Sequence, residues 1–166
     1  MHKNYEYWIN KLGLKKHPEG GYFNEAYRSN TSISPQDLNW DCEGERSSAT
    51  SIYFLLPSTD VSKLHRLKSD ELWYFHTGSS LTITIISPQG VLSQQKLGIN
   101  PDQDEQLQMI IPAGCIFGAK VNEADSYSLV SCMVTPGFDF RDFELLTKEK
   151  LIMKYPQYQT LINELA

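Results

Sequence analysis

Between residues 48 and 135 the chain runs ATSIYFLL (49–56), SKLHRL (62–67), ELWYFHT (71–77), SLTITII (80–86), VLSQQKL (91–97), QLQMII (106–111), CIFGAKV (115–121) and SYSLVSCMV (126–134). Each run is short, apolar, and rich in β-branched or aromatic residues. Six of the eight are closed by turn residues: Pro57-Ser58, Ser87-Pro88-Gln89-Gly90, Gly98, Pro112-Ala113-Gly114, Asn122-Glu123 and Pro136-Gly137. Short strands at regular spacing, with no helical pattern between them, read as an all-β sandwich or barrel. Parallel strands need crossover helices, so a parallel α/β sheet is excluded.

Working outward, Tyr22 to Arg28 adds a further strand after the loop LKKHPEGG (14–21), which holds one proline and two glycines. Residues 29–47 are rich in Ser, Asn, Asp and Glu and read as a mobile surface loop. Trp8, Ile9 and Leu12 give residues 3–12 an amphipathic helical pattern that stops at Gly13. A second helical start lies near Thr147. Pro156 interrupts it, and Tyr158, Leu161, Ile162 and Leu165 continue at helical spacing. Tyr5, Tyr7, Trp8 and this C-terminal stripe are expected to cover an open barrel edge or end, or to form dimer contacts. The expected organisation is one domain: an N-terminal helical segment (1–13), a barrel (14–145) and a helical tail (146–166).

The 166 residues suit one domain with a full core. Fifteen Lys and Arg against twenty Asp and Glu give a formal charge of −5, which argues against a general nucleic-acid binder. Cys42, Cys115 and Cys132 form no CxxC pair and read as small thiols in a reducing compartment. The N-terminus has no apolar leader core, and no apolar run approaches the length of about 20 residues that a membrane span needs. A soluble, cytoplasmic protein without membrane partners is the expectation.

The stretch from His65 to Gly78 carries a more specific pattern. His65, Glu71 and Gly78 are spaced like the histidine, glutamate and glycine of the first cupin motif. Pro112 and Gly114 match the start of the second. His17-Pro18-Glu19-Gly20-Gly21-Tyr22-Phe23, Ser69-Asp70-Glu71-Leu72-Trp73, Pro112-Ala113-Gly114 and Pro136-Gly137-Phe138-Asp139-Phe140, continuing to Asp142-Phe143-Glu144, follow in order. Over about residues 5–145 the chain therefore resembles the cupin superfamily, and within it the cupin-5 type family first described as a domain of unknown function. The resemblance implies a double-stranded β-helix, the cupin jelly roll, with short helices at both ends, assembled as a homodimer. Relatives carry a sugar epimerase-like label by analogy with an epimerase of the same fold. Fold alone does not fix function.

The same resemblance frames the site. A cupin metal centre takes three histidines and one glutamate. Here Leu67 and Phe117 stand at two histidine positions, and neither can ligate. Gln108 could add a donor, and so could His76 if a bulge turned it inward. No metal and no cofactor are expected. Strand alternation puts Glu71, Trp73 and Phe75 on one face and Leu72, Tyr74 and His76 on the other. By motif analogy His65 faces the barrel interior, as a general base oriented by Glu71 or as a purely structural partner of it. Glu71 is an acid with a raised pKa, or a partner for Arg28 or Arg66. Tyr22 or Tyr53 is the candidate acid partner.

His17 and Glu19 belong to a pocket rim or to a tight turn feeding the first long strand. Arg28 is an anion fork or a salt-bridge residue. Trp73, Phe75 and Phe117 stack on a ligand or fill the core, and Gln108 bonds a ligand or the backbone. Asp139 reads as a turn residue capping nearby amides. The expected ligand is a small polar molecule, a carbohydrate or sugar nucleotide among the options. The expected chemistry is metal-independent epimerisation or isomerisation. A non-catalytic binding module and a metal-dependent cupin with atypical ligands are the alternatives.

Overall fold

A computed structural model describes residues 4–166. The first three residues of the expected segment 1–13 lie outside the described residues. In chain order the elements are α1 (Tyr5–Leu12), β1 (Lys15–Lys16), β2 (Tyr22–Arg28), β3 (Ser32–Ile33), β4 (Arg46–Ser47), β5 (Thr50–Pro57), β6 (Val61–Leu67) and β7 (Asp70–Gly78). They continue as β8 (Leu81–Ile86), β9 (Leu92–Leu97), β10 (Glu105–Gln106), β11 (Gln108–Ile111), β12 (Ile116–Val121), β13 (Tyr127–Thr135), β14 (Phe143–Leu145), α2 (Lys148–Lys154) and α3 (Gln159–Leu165).

Two six-stranded sheets face each other, in the orders β1-β2-β5-β13-β7-β11 and β10-β9-β8-β12-β6-β14. The long pairings are antiparallel, and β9–β10 is a short parallel pair. From β5 to β8 and again from β10 to β14 sequence neighbours alternate between the sheets, which is the jelly-roll arrangement. The sheets are layered rather than hydrogen-bonded into a closed barrel. Strand alternation fills the space between them with Phe54, Trp73, Ile83, Phe117, Val130 and their neighbours.

The terminal helices cover outer faces rather than an edge. Side chains of opposite parity, such as Leu55 and Leu129, leave the core and need their own cover. Leu14 and the Trp8, Ile9 and Leu12 stripe of α1 supply it. Asn4 caps α1 by accepting from the Tyr7 amide (3.0 Å), and Gly13 ends it in the left-handed conformation at φ 60°. On the second sheet Leu64, Ile86 and Ile116 are covered by Leu151, Ile162 and Leu165 of α2 and α3. Each such aliphatic side chain contributes about 1.5–3 kcal/mol when fully buried. Among the described residues no helix is long and apolar enough to cross a membrane.

Two local readings are corrected. The run 106–111 is not one strand. Gln106 ends a segment on β9, and Gln108 begins a strand on β7 in the other sheet. Leu107 marks the crossing, and no turn residue there announces it. The stretch 29–47 is not wholly a loose surface loop, because Ser32–Ile33 pairs with Arg46–Ser47 and the Arg46 side chain is buried.

Candidate functional site

The loop 17–21 begins the site. Gly20 adopts φ +114°, and a Cβ there would lie 2.0 Å from the Val61 carbonyl oxygen. Only glycine lets the loop lie flat on the backbone of β6. Lys63 donates its amide to the Glu19 carbonyl (2.8 Å), and Gly21 donates to Asp60 Oδ2 (3.0 Å). Pinned in this way, Glu19 points its carboxyl into the protein and is buried.

The residues that meet Glu19 depend on a bulge. Phe117 on β12 lies opposite His65, yet Ala119 lies opposite Ser62, so β6 carries one extra residue. Regular alternation would send Ser62 and His65 to opposite faces. Instead both reach the same carboxyl. Ser62 Oγ donates to Glu19 Oε1 (2.8 Å), and His65 Nε2 lies 3.2 Å from Glu19 Oε2.

Hydrogen bonding assigns the protons. His65 Nδ1 lies 2.6 Å from the Lys63 carbonyl oxygen, which can only accept. Nδ1 therefore carries the hydrogen in the neutral ring, and Nε2 presents a lone pair to Glu19. Burial lowers His65 to a pKa of about 4. Burial raises Glu19 to about 7, against the opposing pull of His17 and the Ser62 hydroxyl. At neutral pH the protonated form of Glu19 donates to a neutral imidazole. His17 is also held below its ordinary value by burial. Its Nδ1 accepts from the Glu19 amide (3.3 Å), and its ring meets Phe23 edge-on at 4.6 Å.

Glu71 enters from β7 on the facing sheet. It is 6% exposed. Burial, and then the nearby Glu19, raise it to about 8; the Cys132 thiol and Trp73 indole beside it pull the other way. Its carboxyl forms no ion pair with the described residues, and the polar groups beside it are the Cys132 thiol and the Trp73 indole. The Trp73 indole nitrogen is buried without a partner.

These groups line one cavity of about 330 Å³. Its walls are largely phenyl rings: Phe23, Phe54, Phe138, Phe140 and Phe143. Its mouth carries Arg28, Glu25 and Asp139. Arg28 is inward because β2 shifts register between Glu25 and Tyr27. Its guanidinium grips Glu25 (2.9 and 2.7 Å) and donates to the Phe138 carbonyl (3.2 Å). Asp139 accepts from the Arg141 amide (2.9 Å) and side chain (2.8 and 2.6 Å), which holds its carboxyl far below the usual range.

Of the residues singled out from the sequence, the cavity gathers His17, Glu19, Arg28, His65 and Glu71. The carboxyl at His65 belongs to Glu19, not Glu71, because the bulge and the pinned loop bring Glu19 to Nε2 first. Tyr22 and Tyr53 are excluded from the cavity by strand parity, since their neighbours Phe23 and Phe54 point inward. Both tyrosines pack outside with Leu55 and Leu129. Trp73 and Phe117 lie in the core behind the cavity, and the Phe117 ring meets that of His65 at 4.1 Å. Phe75 packs against the core without lining the cavity, and Gln108 is exposed. His76 faces out, beside Tyr53 and 2.6 Å from Ser131 Oγ. Sequence reasoning missed Phe23, Phe54 and the Phe138, Phe140, Phe143 triplet as walls, although the spacing of the aromatics after Pro136-Gly137 carries that signal.

The donor set does not fit the metal centre that the cupin resemblance implies. Leu67 and Phe117 offer no lone pairs. The single motif histidine left has one ring nitrogen on a carbonyl and the other on Glu19. Among the described residues no group of three or more His, Cys, Asp or Glu is arranged to hold an ion.

Fold and site together define a cupin jelly roll in which the usual ligand cluster is replaced by a carboxyl–imidazole pair inside an aromatic cavity. The chain belongs to the Cupin_5 family, Cupin superfamily (DUF985), whose family model matches residues 6–146. It is 31% identical over 151 residues to uncharacterized protein YML079W of Saccharomyces cerevisiae, covering 85% of this chain and 74% of that one. The crystal structure of protein SO0799 from Shewanella oneidensis is 44% identical, with a TM-score of 0.90 over 99% of this chain and 98% of the other. A hypothetical protein from Leishmania major is 38% identical, with a TM-score of 0.88 over 99% of each chain. Oxalate decarboxylase from Bacillus subtilis shares the fold alone, at 17% identity and a TM-score of 0.52, covering 85% of this chain and 40% of that one.

Proposed function

We propose that this cupin binds a small carbonyl-bearing molecule in the aromatic cavity and moves a proton on and off the carbon beside the carbonyl, as an isomerase of the epimerase type. The observation that carries this reading is the placement of two carboxyls on facing walls of one cavity. Glu71 comes from β7, and Glu19, backed by His65 and Ser62, lies over β6. Epimerisation needs an acceptor on one face of a carbon and a donor on the other. With pKa values of about 7 and about 8, one carboxyl can hold its proton while the other gives it up near neutral pH. The proton leaves carbon for the ionised carboxylate, the electron pair moves toward the carbonyl oxygen, and the second carboxyl returns a proton from the opposite side. His65 is a positioning residue here, since both its nitrogens are engaged. A cavity of about 330 Å³ limits the enclosed part of the ligand to a small molecule.

Deuterium exchange tests the reading without a named substrate. The protein is incubated in D2O with a panel of small ketoses, aldoses and amino sugars, and mass spectrometry follows incorporation. A gain of one mass unit with the wild type but not with Glu71→Gln is the expected result. Exchange at the same rate with both proteins contradicts it. A second reading, a binding module without chemistry, is favoured by the double engagement of His65. It predicts a panel member that stabilises the fold yet never exchanges.

A further inference from the structure

The charged groups of the cavity are not balanced alike. At the mouth Arg28 is neutralised by Glu25, and Asp139 by Arg141. No free guanidinium is left to receive a phosphate or carboxylate. Further in, Glu71 has no cationic partner among the described residues. It is more than nine-tenths buried, lines the cavity, and makes no ion pair with the described residues. The other inner carboxyl, Glu19, faces only a neutral imidazole, a hydroxyl and His17. An anion entering this space would meet two carboxyls and no positive charge. A cation would meet the missing counter-charge.

The walls point the same way. Phe23, Phe54, Phe138, Phe140 and Phe143 line the space around these acids. Phenyl faces carry negative electrostatic potential and attract ammonium groups, most strongly where water is excluded. Aromatic rings combined with an unpaired buried carboxyl form a recognition chemistry for organic cations.

We propose that the ligand of this cavity carries a protonated amine, which sits among the phenyl rings and takes Glu71 as its counter-ion. This deepens the proposed function by naming the charge of the substrate, and it rests on that reading only in placing the ligand in the same cavity. Ion-pairing with the ammonium favours the carboxylate form of Glu71, so the bound ligand itself sustains the base.

The test uses three probes of nearly equal shape: 2-phenylethylamine, 2-phenylethanol and phenylacetate. Binding to the full chain is followed at neutral pH by titration calorimetry and thermal shift. The amine is expected to bind about tenfold or more tightly than the alcohol, with phenylacetate weakest, since one charge-assisted contact corresponds to at least a tenfold change. Glu71→Gln is expected to remove most of that preference while leaving alcohol binding in place. Binding of phenylacetate or the alcohol as tightly as the amine overturns the proposal, although the cavity then remains a ligand site. Failure of all three to bind the wild type also overturns it. The wild-type comparison decides the matter even if the variant does not fold. Amine binding without any deuterium exchange would support this inference while the isomerase reading fell.

Discussion

Arg46 and Glu71 are both ionisable side chains buried in the same jelly roll, 2% and 6% exposed, and their surroundings are opposite in kind. Arg46 is saturated. Its guanidinium forks onto Asp142 (2.5 and 3.1 Å) and donates to the carbonyls of Glu43, Gly44 and Glu45. Lys68 stands 3.8 Å from the same aspartate. Glu71 has a thiol and an indole beside it and an open cavity in front. Buried charge with every partner in place is scaffold: here it ties the 29–47 stretch to the turn before β14. A buried carboxyl with no cationic partner is held in its neutral form at a cost, and its persistence in a cavity marks a site whose partner comes from solution.

The largest expected effect falls on the saturated side. Arg46→Ala leaves Asp142 buried with only the longer Lys68 contact at 3.8 Å, and should cost about 3–5 kcal/mol in urea unfolding. A loss below about 1 kcal/mol would show that the pair is not scaffold. On the unsatisfied side the effect is pH-dependent. The unfolded chain releases the Glu71 proton near the ordinary carboxyl value of 4.5, whereas the fold holds it to about 8. The resulting stabilisation is complete below about pH 4.5 and is lost as pH rises through about 8. Glu71→Gln cannot ionise, so relative to the wild type it should gain about 2–4 kcal/mol between about pH 5 and pH 9. Parallel stability curves for the two proteins would break the contrast.

Smaller changes sharpen it. Gly20→Ala meets both a positive φ and the Val61 carbonyl, so it should destabilise by about 1–3 kcal/mol. It should also lift Glu19 from His65, which the imidazole nitrogen shifts would report; unchanged shifts would show that the loop does not position the pair. Least of all, Arg28→Ala should alter stability by about 0.5 kcal/mol or less, because its pair with Glu25 is largely exposed. A loss as large as that of Arg46→Ala would mean that the mouth is structural.

The fold was legible because the strand runs and their turn residues are local signals. Ile52 to Leu56 or Leu81 to Ile86 can be read without knowing what lies opposite. The site was legible only in part. His65 and Glu71 stood out by motif, but the partner of His65 depends on a bulge opposite Gly118 and on a loop lying on β6. Both are contacts between residues distant in sequence. Tyr22 and Tyr53 illustrate a different failure. A hydroxyl makes tyrosine a candidate acid, but the parity readable from the neighbouring phenylalanines sends both hydroxyls outside the cavity. Arg46 was hidden because a polar stretch gives no sign that one of its charges folds inward.

The central claim is that burial, with Glu19 nearby and no cation to offset it, keeps Glu71 uncharged at neutral pH. A carboxyl-carbon NMR titration of protein labelled at glutamate, with Glu71→Gln to assign the resonance, measures this directly. The midpoint should fall near 8 in the ligand-free protein. A midpoint in the ordinary carboxylate range, about 4 to 5, would mean that the carboxyl is already satisfied, and the contrast with Arg46 would disappear.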